Sequence, residues 1–593
     1  MLHPACSPIR DTRTTAPMPT LDWLNRAHAF TTAAQVPYRL LEPVSTHGDA
    51  ASAARNLLIQ GDNLQALKAL LPFHRGQVKC IFIDPPYNTK SAFEHYDDNL
   101  EHSQWLSMML PRLQLLRELL REDGSIWVTI DDNEGHYLKV LMDEVFGRRN
   151  FVASFQWQKT LTRRNDAKVV SEAHDHVLLY GRDARQVRLN RLESDERQRA
   201  TYTNRDKDPR GDWLAVPFHA PNLRPNLTYP ITTPGGKVLM PPPGRCWSTT
   251  QEKFKELRED GRIYFGRDGN GMAQRKKFWS ESAQTVVPWT WWPYQEVGEN
   301  REATRETKEI FGGDIAFSTP KPERLIQRIL ALATAESDLV LDSFLGSGTT
   351  AAVAHKMGRR WIGIEMGEHA ATHCLPRLQK VIAGEQGGIS AAVGWQGGGG
   401  FAFAKLGAPI FDASGCIHPE VRFATLAAFI WQQETGTAFD AARGMAGTPY
   451  LGTHSVFDSC LRTVDGRERP ISLEVSAPLF ELDGGSSGAD ARAKPSPAGE
   501  AATAAAISEV GEPVLQSRTA YYLLFNGILG DKRPASGNVL TTAVLEALLA
   551  LHASTPHPEA PLVVYGEACR LGEARLALAR VVFKHIPYDV RAR

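Results

Sequence analysis

Cys80-Ile81-Phe82-Ile83-Asp84-Pro85-Pro86-Tyr87-Asn88 is an apolar run that stops on a carboxylate and turns at two prolines. A short run rich in isoleucine and ended by turn formers reads as a strand buried on both faces, as in parallel sheets. Open α/β sheets bind ligands beyond the carboxyl ends of their strands, and Asp84 falls at such an end. The prolines carry no N–H, so the Asp84 oxygens and the Pro85 carbonyl form a rigid set of acceptors. Acceptors of this kind suit the hydrogens of an exocyclic amino group on a nucleobase, with Tyr87 as a stacking surface. The same residues also describe a strand ending in a tight turn with a packed tyrosine.

Outward from this point the chain alternates. Leu57-Leu58-Ile59 is a second strand, and Leu64, Leu67, Leu70 and Leu71 recur at helical spacing before Val78–Ile83. Leu106, Leu110, Leu113, Leu116, Leu119 and Leu120 line one side of a helix near Ser103–Arg121; Asp123-Gly124 stops it and Ser125–Ile130 is another strand. This β-α-β order predicts an open, mostly parallel sheet. Residues 1–50 read as an N-terminal arm with a short helix at Leu21–Phe30, and 51–181 as the first half of the α/β unit. Between 182 and 315 proline and glycine cluster (Pro217, Pro221, Pro225, Pro230, Pro241 to Gly244) and tryptophans accumulate at 213, 247, 279, 289, 291 and 292. This stretch is expected to be a loop-rich insert with a modest positive excess. Alternation resumes over 316–395, and Gly397–Gly400 marks the start of an α/β accessory region, 396–593. Its strands are expected at Tyr521–Leu524, Leu562–Tyr565 and Val581–Phe583, with a flexible Gly/Ser/Ala/Pro segment at 483–512.

The second chemical signal is Leu341-Asp342-Ser343-Phe344-Leu345-Gly346-Ser347-Gly348-Thr349-Thr350, again directly after an apolar strand, Leu339-Val340-Leu341. Two glycines let backbone approach a ligand, and a helix near Thr349–Met357 would present free N–H groups. Glu365, closing the strand Trp361-Ile362-Gly363-Ile364, suits a carboxylate that holds ribose hydroxyls. A glycine-rich connection without a ligand fits the same residues.

Composition narrows the class. The 593 residues are 42% apolar and 23% charged, a globular composition that excludes a chain disordered throughout. Lys+Arg 67 equals Asp+Glu 67, which excludes a chain basic throughout but leaves room for a local basic face. No run of about 18 apolar residues suggests a membrane span, and the first twenty residues lack an apolar signal-peptide centre. Cysteines at 6, 80, 246, 374, 416, 460 and 569 form no CxxC pair. They suit reduced thiols in a cytoplasmic setting rather than a zinc site or disulfide framework. There is no GxxxxGK[ST] loop for nucleoside triphosphates, and no Pro-Cys of the kind cytosine-C5 chemistry uses.

The two loops together resemble the adenine-N6 class of S-adenosylmethionine-dependent DNA methyltransferases in permuted order, with the DPPY half first, a recognition insert, then the FxGxG half. The resemblance covers about residues 55–182 and 316–380. Gly61-Asp62-Asn63, and Lys321-Pro322 with the following Arg324/Arg328 helix, are similar to the family's cofactor-side segments. A finer resemblance is to the modification (Mod) subunits of type III restriction systems. It rests on Asp123 to Glu134 (DGSIWVTIDDNE), on Phe155-Gln156-Trp157-Gln158-Lys159, and more softly on Tyr450-Leu451-Gly452, Tyr521 to Leu524 and Phe583 to Tyr588.

The resemblance implies a circularly permuted Rossmann-like α/β methyltransferase sheet with an inserted target-recognition module and a C-terminal accessory domain. Asp84, Pro85, Pro86 and Tyr87 would be catalytic. Asp342, Phe344, Gly346, Ser347, Gly348 and Thr349 would cradle S-adenosylmethionine, Glu365 would hold its ribose, and Lys321, Pro322 and Asp62 would lie on the cofactor side. Asp62 also reads as a helix cap. No metal is implied. The flipped base would stack on Tyr87, with Trp157 or Phe93 nearby, although Trp157 reads equally as a core aromatic. Arg224, Asn226, Lys237, Arg245, Arg262, Arg267, Arg275, Lys276 and Lys277 are the insert's candidate contacts, while Trp289 to Trp292 read as core. Implied partners are double-stranded DNA, a second copy of the chain and a separate restriction subunit. Cytosine-N4 DNA methylation (whose enzymes more often carry Ser at the Asp84 position), an RNA amino-methyltransferase, and a non-catalytic DNA-binding subunit are the alternatives.

Overall fold

The computed structural model describes residues 19–89, 101–163, 169–193, 199–282, 285–312, 317, 319–412, 415–457, 461–464, 467–470, 515–586 and 590. Phe93, the expected flexible segment 483–512, Pro587 and Tyr588, and the arm before residue 19 lie outside these.

A ten-stranded sheet organises the larger compact unit. In chain order its strands are β1 Arg39–Gly48, β2 Leu57–Gln60, β3 Val78–Ile83, β4 Leu120–Ile130, β5 Phe151–Gln158, β6 His174–Gly181, β7 Trp291–Trp292, β8 Leu339–Asp342, β9 Arg360–Glu365 and β10 Gly400–Pro409. They lie in the order β1-β10-β2-β9-β8-β3-β4-β6-β5-β7. The run from β10 to β4 is parallel throughout. Antiparallel pairs flank it, β1 with β10 and β4-β6-β5. Every residue of β8 is buried, and in β3 all but Lys79 are. That double-sided burial is why these strands are continuous apolar runs rather than alternating ones.

The helices that matter for the site are α1 Arg26–Gln35, α2 Asn63–His74, α3 His102–Leu119, α4 Asn300–Phe311, α5 Glu323–Ala333, α6 Thr349–Lys356, α7 Leu375–Ile382 and α8 Phe423–Thr435. Asp62 caps α2, its Oδ1 accepting from the Gln65 N–H at 3.1 Å. In α3 the apolar face, including Trp105, Leu106, Met109, Leu110, Leu113 and Leu116, is buried in the main core.

Several expectations are revised. The first helix begins at Arg26 rather than Leu21, because Asn25 takes φ 66°, which interrupts the helical backbone. The arm 1–50 is not only an arm: Arg39–Gly48 forms an edge strand on β10, whose residues lie at the far end of the methyltransferase-like halves. For the same reason the boundary at 396 does not separate a domain, since β10 sits inside the central sheet beside β2. Beyond it, Tyr450–Phe457, Leu515–Leu523, Leu562–Gly566 and Val581–His585 form a separate four-stranded sheet in that order. The α8 helix packs towards α2, and the Phe439 N–H donates to the Pro72 carbonyl at 2.8 Å.

The second compact unit is built on residues 191–288, a shorter insert than 182–315. Residues after 288 return to the main sheet because Trp291 and Trp292 pair with β5, and the Trp292 ring packs tilted against Phe155 at 4.4 Å between ring centroids. Within the insert, Ile263–Tyr264, Gln274–Phe278 and Trp213–Pro217 make a three-stranded sheet. A small core gathers Phe218, Tyr229, Trp247, Phe254 and Phe265. No helix among the described residues is long and apolar enough to cross a membrane.

Candidate active site

β3 and β8 are parallel neighbours, Val340 opposite Cys80 and Leu341 opposite Ile81. The chain leaves β3 towards β4 on one side and β8 towards β9 on the other, so the crevice between their carboxyl ends is a topological switch point. The loops that follow, 84–89 and 343–348, line one cavity of about 500 Å³, within the usual range for small-molecule sites of roughly 300–1,000 Å³. Asp84, Pro85, Pro86 and Tyr87 line it from one side, and Asp342, Phe344, Gly346, Ser347 and Thr349 from the other. Lys321, Phe317, Asp131, Lys159 and Asp175 complete much of the wall.

Asp84 is held on both oxygens. Oδ1 accepts from the Thr129 hydroxyl at 2.6 Å, and Oδ2 is ion-paired with the Lys321 ammonium. Lys321 precedes α5, so this pair ties the second half of the fold to the first. Its Nζ also lies 5.1 Å from the centroid of the Tyr87 ring, within cation–π range. The Tyr87 hydroxyl donates to Asp175 Oδ2 at 3.2 Å, and Lys159 Nζ donates to Asp175 Oδ1 at 2.6 Å. Burial, reinforced by the Asp175 and Asp84 carboxylates, pushes the Tyr87 hydroxyl well above the usual phenol range, so it remains a donor. Burial also raises Asp175, against the opposing pull of Lys159. Asp131 is pushed up to about 6, chiefly by burial. The Pro86 carbonyl accepts from the Trp105 indole at 2.8 Å, which fixes the double-proline turn to α3.

The glycine loop is braced from several elements. Gly346 and Gly348 take φ 58° and 85°, where side chains are strained. The Gly346 N–H donates to Glu365 Oε2 at 2.6 Å, and the Cys374 thiol to the Gly346 carbonyl at 3.1 Å. Arg377 on α7 donates to Thr349 Oγ1 at 2.8 Å and to Glu323 Oε1 at 2.8 Å. Lys356 on α6 reaches the other Glu323 oxygen at 2.8 Å. Asp342 accepts from the Phe344 N–H at 2.9 Å and the Thr350 hydroxyl at 2.6 Å, yet burial pushes it up to about 7.

Not every residue singled out in the sequence reaches the cavity wall. Glu365 is buried and engaged by the Gly346 N–H. Asp62 caps α2 and pairs with Arg112 at 3.1 Å. Pro322 sits at the N-cap of α5, and Gly348 at the N-cap of α6. Trp157 is a core aromatic whose indole donates to the Gly298 carbonyl at 2.9 Å. In the insert, Lys276 is buried against Asp206 and Asp208, and Arg262 forms a two-point pair with Glu281 at 2.6 Å. Arg224, Asn226, Lys237, Arg245, Arg267, Arg275 and Lys277 are exposed. Thr129, Lys159, Asp175, Glu323 and Arg377 were not anticipated. Each acts through a partner distant in sequence, and no local spacing signals such a contact.

A fold of this topology, with an acidic double-proline turn facing a glycine turn across one crevice, defines an α/β ligand-binding enzyme class that the family comparison makes specific. The DNA methylase family profile matches residues 78–374, half of the chain, and the chain belongs to that family. It is 32% identical over 364 residues to the StyLTI Mod subunit of a type III restriction-modification enzyme from Salmonella typhimurium, covering 56% of this chain and 55% of that protein. A probable HindVI Mod subunit from Haemophilus influenzae is 32% identical over 427 residues, 61% of this chain and 55% of the other. The type II methyltransferase M.EcaI of Enterobacter cloacae is 31% identical over 331 residues, 54% of this chain and 69% of the other. The chain thus spans little more than half the length of the Mod subunits it matches.

Proposed function

We propose that this chain transfers a methyl group from S-adenosylmethionine to N6 of a flipped-out adenine in double-stranded DNA, as the modification component of a restriction-modification system. The observation that carries this reading is that Asp84 and the glycine loop, 262 positions apart between Asp84 and Gly346 (346 − 84), share one cavity. Its relatives' names, Mod subunit and type II methyltransferase, support the polymer and the setting. Aspartate at position 84 supports adenine over cytosine N4. Double-stranded DNA, a second copy of the chain and a separate restriction subunit are the proposed partners.

The residues fit the cofactor. A side chain at Gly346 would lie 3.1 Å from the Phe317 ring and narrow the cavity. Five carboxyl groups, those of Asp84, Asp131, Glu172, Asp175 and Asp342, and the aromatic rings of Phe344 and Phe317 line it, a donor set suited to a cationic ligand carrying a purine. Asp342, Phe344, Gly346, Ser347 and Thr349 would hold it, and when bound it would supply an activated methyl group. The chain's own part concerns the base. An adenine amino nitrogen is weakly nucleophilic because its lone pair is delocalised into the ring. Asp84 and the Pro85 carbonyl accept its two hydrogens, which favours a localised lone pair. Thr129 and Lys321 fix the Asp84 carboxylate in advance, so its orientation costs little at the moment of reaction. Tyr87 stacks on the base, its ring angle set through the Asp175–Lys159 pair. Flipping costs a few kcal/mol of unstacking.

The direct test is to express the chain alone and map modified bases in the host DNA by sequencing. N6-methyladenine at one recurring motif is the expected outcome; cytosine modification at that motif, or none, would refute the reading.

A pH dependence follows from Asp342. A cation favours its ionised form, so cofactor affinity should rise with pH up to about 7 and level off above it. Below that point each unit of acidification should weaken binding by up to about tenfold. For folding without ligand the sign is opposite. Its raised value makes the protonated carboxyl the favoured one in the fold, so stability is lost as pH rises from the usual 3.8 towards 7. Calorimetric titration between pH 5.5 and 8.5 checks this, with Asp342→Asn expected to flatten the profile; a flat wild-type profile would count against it.

A further inference from the structure

We propose that Asp132, His174 and His176 form a binding site for one first-row transition-metal dication of the zinc, nickel or cobalt kind. Strand alternation creates it. On β6, His174 and His176 share one face, while Asp175 between them projects into the cavity. β4 runs antiparallel beside β6 with Ile130 opposite His176, which brings the turn after β4, and therefore Asp132, alongside that face. One nitrogen from each histidine and one Asp132 oxygen all lie within 4.8 Å of one another. His136, one helical turn on, places its Nε2 3.9 Å from Asp132 Oδ1 and can supply a fourth ligand.

The distances suit a metal after modest side-chain rotation. Metal–nitrogen bonds of about 2.0–2.1 Å in a tetrahedral shell separate their ligand atoms by roughly 3.3 Å. His176 Nε2 and Asp132 Oδ1 are 2.7 Å apart. Imidazole ligands favour zinc, nickel and cobalt over magnesium and calcium, which prefer all-oxygen shells.

Gln156 supplies an independent observation. Its Nε2 lies 3.1 Å from His176 Nδ1, while its Oε1 is buried with no hydrogen-bond partner among the described residues. Without metal, His176 Nε2–H donates to Asp132 and Gln156 Nε2 donates to Nδ1; a metal at Nε2 displaces that proton, and turning the amide over then lets Oε1 accept from Nδ1–H. The lone pair of His176 is then on Nε2, facing Asp132, as a metal ligand needs. An outer carbonyl that fixes the tautomer of a ligating histidine is the usual companion of such sites. The site is independent of the methyl-transfer reading, although Asp131 and Asp175, next in sequence to its ligands, line the cavity.

The test uses the untagged full-length chain, stripped with chelator, titrated with Co²⁺ while the visible absorption band is followed, and with Zn²⁺ by calorimetry. One equivalent is expected to bind at micromolar concentration or below. His174→Ala/His176→Ala should weaken that binding by about 100-fold, and Gln156→Leu by about tenfold, with circular dichroism unchanged. No binding at micromolar metal, or equal binding by the double histidine variant, would overturn the assignment, the latter by placing the ion on other histidines.

Discussion

Asp84→Ala is expected to slow methyl transfer by about 10²–10³-fold, the usual effect of removing one preorganised group aimed at a developing charge. The structure makes the experiment more informative than a single substitution. Lys321, paired with Asp84 and largely buried (11% exposed), would be left without its counter-charge. An unneutralised ammonium beside the cavity repels a cationic cofactor, so a fall in affinity in Asp84→Ala alone would mix two causes. Asp84→Ala/Lys321→Met removes both charges. In that variant the transfer rate should stay down by the same factor while cofactor affinity returns to within severalfold of wild type. Equal methyl incorporation by wild type and Asp84→Ala would end the acceptor model. Thr129→Val should have a smaller effect, because the carboxylate keeps Lys321 but loses one of its two anchors.

The largest effect on stability is expected at Glu323. Its side chain is fully buried and bonded to Lys356 and Arg377, themselves almost completely buried. Burial alone would raise its proton affinity, but the two cations hold it below the usual carboxylate range. Glu323→Gln would leave two buried cations short of an anion, with Glu385 still paired to Lys356. Breaking a buried pair by removing one partner costs about 3–5 kcal/mol, because the desolvated charge left behind is uncompensated. Arg377 also bonds to Thr349 and Ser347 at the glycine loop, so the variant should lose cofactor affinity as well. Urea denaturation of the full chain measures the first effect and calorimetry the second. An unchanged denaturation midpoint would show that the cluster contributes no net stability. The reciprocal substitution of all three groups by methionine is expected to recover much of the loss, since well-packed apolar side chains often match a buried ion cluster.

The central strands and both chemical loops were legible in the sequence because each depends on neighbours in the chain. A doubly buried strand must be an unbroken apolar run, two prolines fix the turn after Asp84, and glycine is needed where φ is positive at 346 and 348. Other assignments depended on partners that composition does not reveal. Arg275, Lys276 and Lys277 are one run of charge, yet strand alternation leaves Arg275 and Lys277 exposed and turns Lys276 inward onto Asp206 and Asp208. The tryptophan pair at 291–292 looked like part of the insert, but its backbone completes the main sheet.

The sequence by itself determined the family, the order of the two halves and the two loops that carry the chemistry, because those are written in local backbone chemistry. Only the tertiary structure decided which groups hold them: Thr129 and Lys321 on Asp84, Asp175 and Lys159 behind Tyr87, Glu323 and Arg377 behind the glycine turn. Hydrogen bonds and ion pairs of that kind follow from strand adjacency and burial, and no spacing along a chain encodes which distant side chain will arrive.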